Sequence, residues 1–368
     1  MIQQYKAIGL MSGSSLDGVD IAYCTFTKEA NQWTFDLLQT SCVPFPERWI
    51  NRLKFLPLQS ALTYFKTHTY FGHYLGEITH NFIKEHNLSV DLIASHGHTV
   101  FHEPHNRLTA QVGDGAAIAE ITGITTVTQL RTNDVALAGQ GAPIVPIGDL
   151  HLFPDYRFCL NLGGIANISV KTKERIVAFD ICGCNQILNR LVEEIGLVYD
   201  EDGLLARKGQ VNAKLLQTLN TPAFFKKKPP KSLSNQWVID TMMGIIEQST
   251  LPVEDLLSTF CEHVAFQIAH VIQKYNPLPS DKLLVTGGGA FNIFLMERIV
   301  AHLNIKVVIP DKDIVAYKEA MVMAFMGVLR LRNEVNVLSS VTGAKRNSVC
   351  GLVSTVIVDK IIKNKNGS

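Results

Sequence analysis

The chain has 368 residues, of which 46% are apolar, and its 34 Lys and Arg against 33 Asp and Glu leave a formal net charge of +1. At about 150 residues per domain this length predicts two domains with a sizeable core, and the apolar content excludes a disordered chain. The even charge argues against a general binder of nucleic acid or of anionic membranes, which needs a basic excess.

The first half of the chain predicts short strands separated by turns. An apolar run at 7–11, a Gly/Ser/Asp turn and a second apolar run at 19–26 are typical of a β-hairpin. Further elements are predicted as a strand at 33–38, a helix within 58–86 and strands at 92–95, 108–112 and 125–130, with a helix between the last two. A proline-bearing loop at 138–156 excludes a long helix, so we place the boundary of two domains in it, as 1–145 and 146–368.

The second half opens as the first does, with a strand at 157–162, a glycine turn and strands at 165–170 and 175–180. We interpret this likeness as a structural duplication. Further elements are predicted as a helix with Asn185 as its N-cap, a helix at 256–272, a strand at 282–286, a helix at 292–302, a strand at 304–310 and a buried helix at 319–332. The alternation of strands and helices predicts an α/β class, and the C-terminal segment can pack back on the first domain.

Cysteine usage and the N-terminal sequence predict a cytoplasmic protein. Seven cysteines occur without a paired CxxC framework, as expected of a reducing compartment. The first residues lack the charged and apolar regions of a signal peptide, and no run of about 18 apolar residues predicts a membrane span. The CxC of Cys182 and Cys184 is a weak metal signal, and small buried thiols are the alternative that we favour.

Three glycine turns at strand ends are candidate contacts for a nucleotide. They are the loop Gly13–Asp20 (GSSLDGVD), the turn at Gly163 and Gly164, and the triplet Gly287–Gly289, which stands between a predicted strand and a helix. Glycines let backbone N–H groups approach phosphate oxygens, and Asp17 or Asp20 can reach the accompanying metal ion. Each turn alone is equally typical of a simple tight turn. Together they favour a nucleotide bound between two similar domains.

Asp180 and Arg131 are candidates for chemistry. Asp180 is predicted to lie at the C-terminal end of a strand and just before a helix, where ligands bind in open α/β sheets, and a carboxylate there can accept a proton. The alternative is an acid stabilised by the helix dipole. Arg131 suits a carboxylate on a ligand, and its alternative is an ion pair with Asp134.

Four histidines, His96, His98, His102 and His105, have spacing that would suit a zinc hydrolase. Pro104 breaks any helix that would align the last two, and the sequence contains no HExxH. We therefore expect histidines that face a substrate or are packed, and we predict no protein-bound metal site.

The whole set of motifs resembles the anhydro-N-acetylmuramic acid kinase family. GLMSGSSLDGVD, SHGHTVFHEP, QVGDGAAIAEITGI, RTNDVALAGQGAPIVPIGD, LNLGGIANIS, AFD, PPKS, LLVTGGGAFN and SVTGA occur in the family's order, from about residue 8 to 351. The resemblance implies the actin/sugar-kinase/Hsp70 fold, with two ribonuclease-H-like domains around an inter-domain ATP cleft. It implies an ATP- and Mg²⁺-dependent kinase of peptidoglycan recycling. Such an enzyme opens the anhydro ring of 1,6-anhydro-N-acetylmuramic acid with water and phosphorylates O6, giving N-acetylmuramic acid 6-phosphate and ADP. It also suggests a homodimer.

The resemblance also implies roles for individual residues. It makes Asp180 the catalytic acid residue that draws a proton from the attacking water, and Arg131, Glu319 and His98 the residues that bind the sugar. Residues implied in ATP binding are Gly13, Ser14, Ser15, Leu16, Asp17, Gly18, Val19, Asp20, Gly163, Gly164, Asn167, Gly287, Gly288 and Gly289.

One departure from the family keeps alternatives open. The family reads FDTGPGN where this chain reads FDICGCN from Phe179 to Asn185. The alternatives are a kinase of the same fold that acts on a plain hexose or amino sugar and a non-catalytic ATP-binding protein.

Overall fold

The computed structural model describes residues 2–13 and 16–356. The strands are β1 (Gln3–Met11), β2 (Gly18–Glu29), β3 (Gln32–Pro44), β4 (Leu92–Ser95), β5 (His98–Glu103), β6 (Leu108–Val112), β7 (Thr126–Thr128), β8 (Phe158–Leu162), β9 (Ile165–Lys171), β10 (Ile176–Gly183), β11 (Lys282–Thr286), β12 (Lys306–Val308) and β13 (Leu352–Ser354). The helices are α1 (Glu47–Phe55), α2 (Ala61–Glu85), α3 (Gly115–Thr122), α4 (Thr132–Ala136), α5 (Pro146–Leu152), α6 (Asn185–Glu193), α7 (Leu204–Lys208), α8 (Ala213–Leu219), α9 (Asn235–Val238), α10 (Gly244–Ile246), α11 (Val253–Gln273), α12 (Ile293–Ala301), α13 (Lys312–Leu331) and α14 (Ser339–Thr342).

The chain divides into two compact units. Unit 1 contains the chain up to Leu152 together with the described residues from Glu319 onward, and unit 2 contains Phe153–Lys318. The sequence analysis placed the boundary between 145 and 146. The observed division comes after α5 and returns the chain to unit 1 from Glu319, within α13.

The main sheets of the two units share an order of five strands. In unit 1 the order is β13-β7-β4-β1-β2-β3, and in unit 2, given from the corresponding edge, it is β12-β11-β8-β9-β10. Strand β13, antiparallel to β7, is an additional edge strand of unit 1. Each sheet begins with three consecutive antiparallel strands, to which two parallel strands are added beside the first. Both sheets are mixed, and the predicted α/β class is confirmed. The interpretation of the halves as a structural duplication is also confirmed at the level of strand order.

Helix α13 is buried in unit 1 along most of its length. From Ala320 to Leu329 its apolar side chains are at most 1% exposed, which confirms the buried helix predicted at 319–332. Gly9 of β1 explains how closely strand and helix approach, because a Cβ at Gly9 would overlap the carbonyl group of Ala320. Any larger residue at position 9 would force the strand and the helix apart.

The core of unit 2 lies around β8–β11, α6 and α11. Helix α6 presents Ile187, Leu188, Leu191 and Val192 to this core. The predicted N-cap is wrong, because Asn185 is the first helical residue and the N-cap position belongs to Cys184. The Asn185 side chain instead donates from Nδ2 to the carbonyl oxygen of Leu162 (3.0 Å).

The described parts of the chain include no helix with the length and apolar content that a bilayer crossing requires.

Candidate active site

A row of polar residues crosses the sheet of unit 2. Asn161 of β8 is directly opposite Asn167 of β9, which is directly opposite Asp180 of β10. Thr286 of β11 continues the row beside Asn161. Directly opposed residues point to the same face of a sheet, so these side chains share one face. The row brings together the predicted Asn167 and Asp180, which lie on the consecutive strands β9 and β10.

The carboxylate of Asp180 is held by the segment that follows the 226–230 run. Its Oδ2 accepts a hydrogen bond from the backbone N–H of Leu233 (2.8 Å), and its own N–H donates to the carbonyl oxygen of Lys231 (3.2 Å). Burial raises the pKa of Asp180, while the Leu233 N–H and the Lys231 charge act in the opposite direction. Asp180 also precedes a register shift in β10, between Asp180 and Cys182.

Lys231 is a neighbour of Asp180 that sequence reasoning missed. The run KKKPPK at 226–231 predicts a solvated loop, and residues 226–230 are indeed exposed. For Lys231 this prediction is wrong, because its Nζ lies 4.3 Å from the ring centroid of Phe224 and 5.9 Å from that of Phe179. Burial lowers the pKa of Lys231. Only the packing of the loop on β10 distinguishes this lysine from the others of the run.

The glycine triplet after β11 is required for close packing at two of its three positions. Gly287 has φ +84°, a conformation that favours glycine, and a Cβ there would lie 2.6 Å from Asn161 Oδ1. A Cβ at Gly289 would lie 2.7 Å from the Cβ of Leu162. Gly288 is different: it is exposed, and the nearest atom to an added Cβ is 3.8 Å away.

A cavity of about 440 Å³ opens beside this triplet within unit 2. Its lining includes Gly288, Gly289, Asn185, Tyr199 and Asn292. It combines exposed backbone, side-chain amides, aromatic rings and three acidic residues, Asp200, Glu201 and Asp202. Small-molecule sites combine apolar groups with a few polar ones in this way. Asn185 and Tyr199 were not predicted as site residues.

The turn at Gly163 and Gly164 adjoins the beginning of α6. The backbone N–H of Asn185 donates to the Gly163 carbonyl oxygen (3.1 Å), and that of Gln186 donates to Gly164 (3.3 Å). The buried Oε1 of Gln186 has no hydrogen-bond partner among the described residues. A ligand or a water at this turn would satisfy it.

The loop between β1 and β2 belongs to unit 1. Ser14 and Ser15, predicted to bind ATP, lie outside the described residues. The strands on either side form the predicted hairpin, in which Met11 pairs with Asp20. Burial raises the pKa of Asp20, the Cys42 thiol lowers it by a hydrogen bond, and the charge of Asp17 raises it. Of the other residues predicted to bind ATP, Leu16 lies in the same loop, and Gly18 and Val19 are the first two residues of β2.

Arg131 is held by two acceptors in unit 1. Its Nε donates to Nε2 of His96 (2.8 Å), and its NH1 group donates to the carbonyl oxygen of Gly141 (2.7 Å). Burial lowers the pKa of Arg131 to about 10, and Glu319 raises it. Glu319, another predicted sugar-binding residue, therefore lies near enough for its charge to act on Arg131. The alternative ion pair of Arg131 with Asp134 is not formed, because Asp134 accepts from Gly141 and Thr342.

His96 and His98 are buried, whereas His102 and His105 are exposed. Because His96 Nε2 accepts from Arg131, the proton of its neutral ring is on Nδ1 and is donated to the carbonyl oxygen of Gly97 (3.0 Å). Both His96 nitrogens are thus engaged by the protein, and neither is available to a metal. His98 Nδ1 forms a hydrogen bond with the Ser12 hydroxyl (3.1 Å), next to Gly13. Over residues 2–13 and 16–356, no group of three or more His, Cys, Asp and Glu side chains is arranged for a metal ion.

Comparison with known proteins shows which family shares these features. The model of the anhydro-N-acetylmuramic acid kinase family matches residues 5–355. The anhydro-N-acetylmuramic acid kinase of Mannheimia succiniciproducens is 35% identical over 96% of this chain and 99% of its own length. That of Caldanaerobacter subterraneus subsp. tengcongensis is 33% identical over 96% of this chain and 97% of its own. That of Aliivibrio fischeri is 34% identical over 95% of this chain and 98% of its own length.

Solved structures give more distant matches. The activator of the 2-hydroxyisocaproyl-CoA dehydratase from Clostridium difficile matches with a TM-score of 0.41 and 12% identity, over 91% of this chain and 98% of that chain. Component A of the (R)-2-hydroxyglutaryl-CoA dehydratase of Acidaminococcus fermentans matches with a TM-score of 0.44 and 10% identity, over 87% of this chain and 96% of that chain.

The family model and the three anhydro-N-acetylmuramic acid kinases of similar sequence define an amino-sugar kinase. Enzymes of this class take the phosphoryl group that they transfer from ATP. More particularly, the chain belongs to the anhydro-N-acetylmuramic acid kinase family, which serves peptidoglycan recycling. The family, the enzyme class and the use of ATP predicted from the sequence are thereby confirmed.

Proposed function

We propose that Asp180 is the base with which this kinase opens the ring of 1,6-anhydro-N-acetylmuramic acid. In the reaction, a water oxygen bonds to C1 as the C1–O6 bond breaks, and the water proton passes to Asp180. O6 takes the γ-phosphoryl group as the bond from Pγ to ADP breaks. The products are N-acetylmuramic acid 6-phosphate and ADP.

The observation that carries this proposal is the environment of Asp180. One oxygen is held by the Leu233 N–H, which orients the carboxylate and leaves the other oxygen for a water. Burial raises its pKa, which makes the carboxylate a better proton acceptor than an exposed aspartate. A water held in line by such a group needs little reorganisation in order to attack.

The glycine turns support a nucleotide in the same protein. Gly288 leaves an open backbone surface at the cavity of unit 2. The unsatisfied Gln186 Oε1 at the Gly163 turn is an acceptor, and a ribose hydroxyl of the nucleotide could donate to it. We assign ATP to these turns and to the loop Gly13–Asp20. Asp17 and Asp20 are the carboxylates that would hold Mg²⁺ through its waters, and the ion would offset the negative charge on the phosphates.

Arg131, Glu319 and His98 are proposed to bind the sugar. The lactyl carboxylate of the substrate is a natural partner for Arg131, whose hydrogen-bond acceptors His96 and Gly141 are both uncharged. Burial lowers the pKa of His98 to about 4, so this ring is neutral at pH 7 and can exchange hydrogen bonds with sugar hydroxyl groups.

The altered turn after Asp180 does not support the plain-sugar alternative. Cys182 and Cys184 are both 0% exposed and belong to the core of unit 2. Burial raises the pKa of Cys184 to about 12 and that of Cys182 well above its ordinary value. These residues are core side chains and add no polar contact for a sugar.

One assay tests the proposal. ADP formation is measured with 1,6-anhydro-N-acetylmuramic acid and with a panel of plain hexoses and amino sugars, and the product is analysed after reaction in ¹⁸O-water. We expect turnover with the anhydro sugar and ¹⁸O at C1. Equal turnover of a plain sugar, with no solvent oxygen in the product, would establish the alternative kinase. Nucleotide binding without any sugar-stimulated ADP release would establish the non-catalytic alternative.

The cytoplasmic location and the homodimer stay predictions.

A further inference from the structure

Asp134 of α4 connects two distant parts of unit 1. Its side chain is fully buried (0% exposed). Oδ1 accepts a hydrogen bond from the hydroxyl of Thr342 in α14 (2.7 Å), and Oδ2 accepts from the backbone N–H of Gly141 (2.8 Å). Both oxygens of a buried carboxylate are therefore used to join the SVTGA segment to the turn at 138–141.

The turn itself is shaped around this carboxylate. Gly139 donates from its N–H to the Asp134 carbonyl oxygen (2.9 Å), and a Cβ at Gly139 would overlap Oδ2 of Asp134. Gly141 has φ +64°, in the left-handed region that favours glycine. The Gly141 peptide is thus held by Asp134, and the turn is joined to Thr342 in two ways: through the Asp134 carboxylate and by the Gln140 N–H, which donates to the Thr342 carbonyl oxygen (2.8 Å).

The Gly141 peptide is also where Arg131 is anchored. The same residue whose N–H is held by Asp134 offers its carbonyl oxygen to the NH1 group of Arg131 (2.7 Å). Nε of Arg131 is held on the other side by His96 (2.8 Å). The orientation of a guanidinium fork decides whether it can meet a carboxylate with two parallel hydrogen bonds.

We propose that Asp134 and Thr342 are positioning residues for Arg131, and that the series Thr342, Asp134, Gly141, Arg131 sets the affinity for the carboxylate of the sugar. This inference rests on the proposed role of Arg131. A positioning role changes the binding of the sugar and leaves ATP binding and the chemical step unchanged. A purely structural role of the buried network would not be selective in this way.

The test is steady-state kinetics of Thr342→Val, which keeps the shape of the side chain and removes its hydroxyl. We expect KM for 1,6-anhydro-N-acetylmuramic acid to rise about tenfold, while kcat and KM for ATP change by less than about twofold, the signature of lost uniform binding. Thr342→Ser, which keeps the hydroxyl, is expected to restore the wild-type KM.

Thr79→Val is the matched control. Thr79 is a buried threonine of unit 1 whose hydroxyl donates to the Leu75 carbonyl oxygen of its own helix, α2 (2.7 Å). We expect it to leave all three kinetic constants at their wild-type values.

A double-mutant cycle with Arg131→Gln separates the two levels of inference. If Thr342 acts through Arg131, Thr342→Val adds little to the loss already caused by Arg131→Gln. Two effects that multiply independently, or a Thr342→Val variant with the wild-type KM, would overturn the positioning role. A wild-type KM in Arg131→Gln itself would overturn the proposed function of Arg131 instead. If Thr342→Val does not fold, Thr342→Cys, a weaker donor of similar size, is measured in the same way.

Discussion

Asn185 donates a hydrogen bond from its side-chain amide to the carbonyl oxygen of Leu162 across 3.0 Å. The contact joins the first residue of α6 to the last residue of β8. Gly289 lies against both partners, because a Cβ there would come within 2.7 Å of Leu162 Cβ and 2.9 Å of Asn185 Oδ1. The pair therefore encloses one glycine of the triplet and leaves its neighbour, Gly288, exposed beside the cavity.

Two alanine substitutions in this triplet are expected to have different effects. Gly289→Ala overpacks a filled position and should lower the free energy of unfolding by about 1–3 kcal/mol, measured by urea denaturation. Gly288→Ala has room for its methyl group, so the free energy of unfolding should be unchanged. The methyl group would, however, cover the backbone surface proposed to contact ATP. We expect the Kd for ATP, measured by calorimetry, to rise several-fold, a loss of about 1 kcal/mol of binding free energy. Gly244→Ala, with no atom within 4 Å of the added Cβ, is the control. Wild-type ATP affinity in Gly288→Ala would remove Gly288 from the nucleotide site.

Replacement of Asp180 is expected to affect turnover much more than ATP binding. Asp180→Asn keeps the shape and can still accept from Leu233, but it cannot take a proton from water. We expect kcat to fall by about 10²–10⁴, with the Kd for ATP changed by less than about twofold. Asp240→Asn, an exposed aspartate of unit 2, serves as the control. Wild-type turnover of Asp180→Asn would show that another group is the base.

Lys231 is expected to influence the acid side of the pH profile. Its charge lowers the pKa of Asp180, so Lys231→Met should raise that pKa and move the acid limb of kcat/KM to higher pH. The exposed Lys228→Met, from the same run of lysines, provides the comparison. An unchanged acid limb in Lys231→Met would mean that Lys231 only packs against Phe224.

Buried histidines should make unit 1 and unit 2 sensitive to acid. Burial lowers the pKa of both His96 and His263 to about 3, whereas an unfolded histidine titrates near pH 6.5. Between about pH 6.5 and pH 3 the unfolded chain therefore binds more protons than the folded chain, so stability falls as the pH decreases. The contribution is complete above pH 6.5 or so.

His263→Asn tests this dependence in unit 2. Its amide can still donate toward Asn220 Oδ1, which His263 Nδ1 contacts at 2.8 Å, but it does not titrate. We expect the free energy of unfolding to decrease less steeply between pH 6.5 and pH 4 in this variant than in the wild type, as measured by urea denaturation at each pH. An identical slope in both proteins would show that His263 does not titrate on unfolding.

Local features were predicted well because they depend on neighbouring residues. The strands at 92–95, 108–112 and 282–286 have the predicted bounds, since apolar runs between turn residues already determine an extended segment. The repeated opening of the two halves likewise predicted a structural duplication, which the shared strand order confirms. The glycine turns could be named as candidates because each lies at the end of a strand. Asp180 was named because a strand was predicted to end there, whereas β10 continues past Asp180 to Gly183. Their proposed roles came from the family motifs, which span nearly the whole chain.

Contacts between distant residues were decided only by the tertiary structure. The amide of Asn185 could cap its own helix or bond to β8, and nothing in the neighbouring sequence distinguishes the two. Lys231 resembles the lysines before it until the loop packs against Phe224 and Phe179. The link from Thr342 to Asp134 spans 208 positions of the chain. Periodicity and turn chemistry are properties of a short segment, whereas hydrogen bonds and charges act through space, and only folding sets those distances.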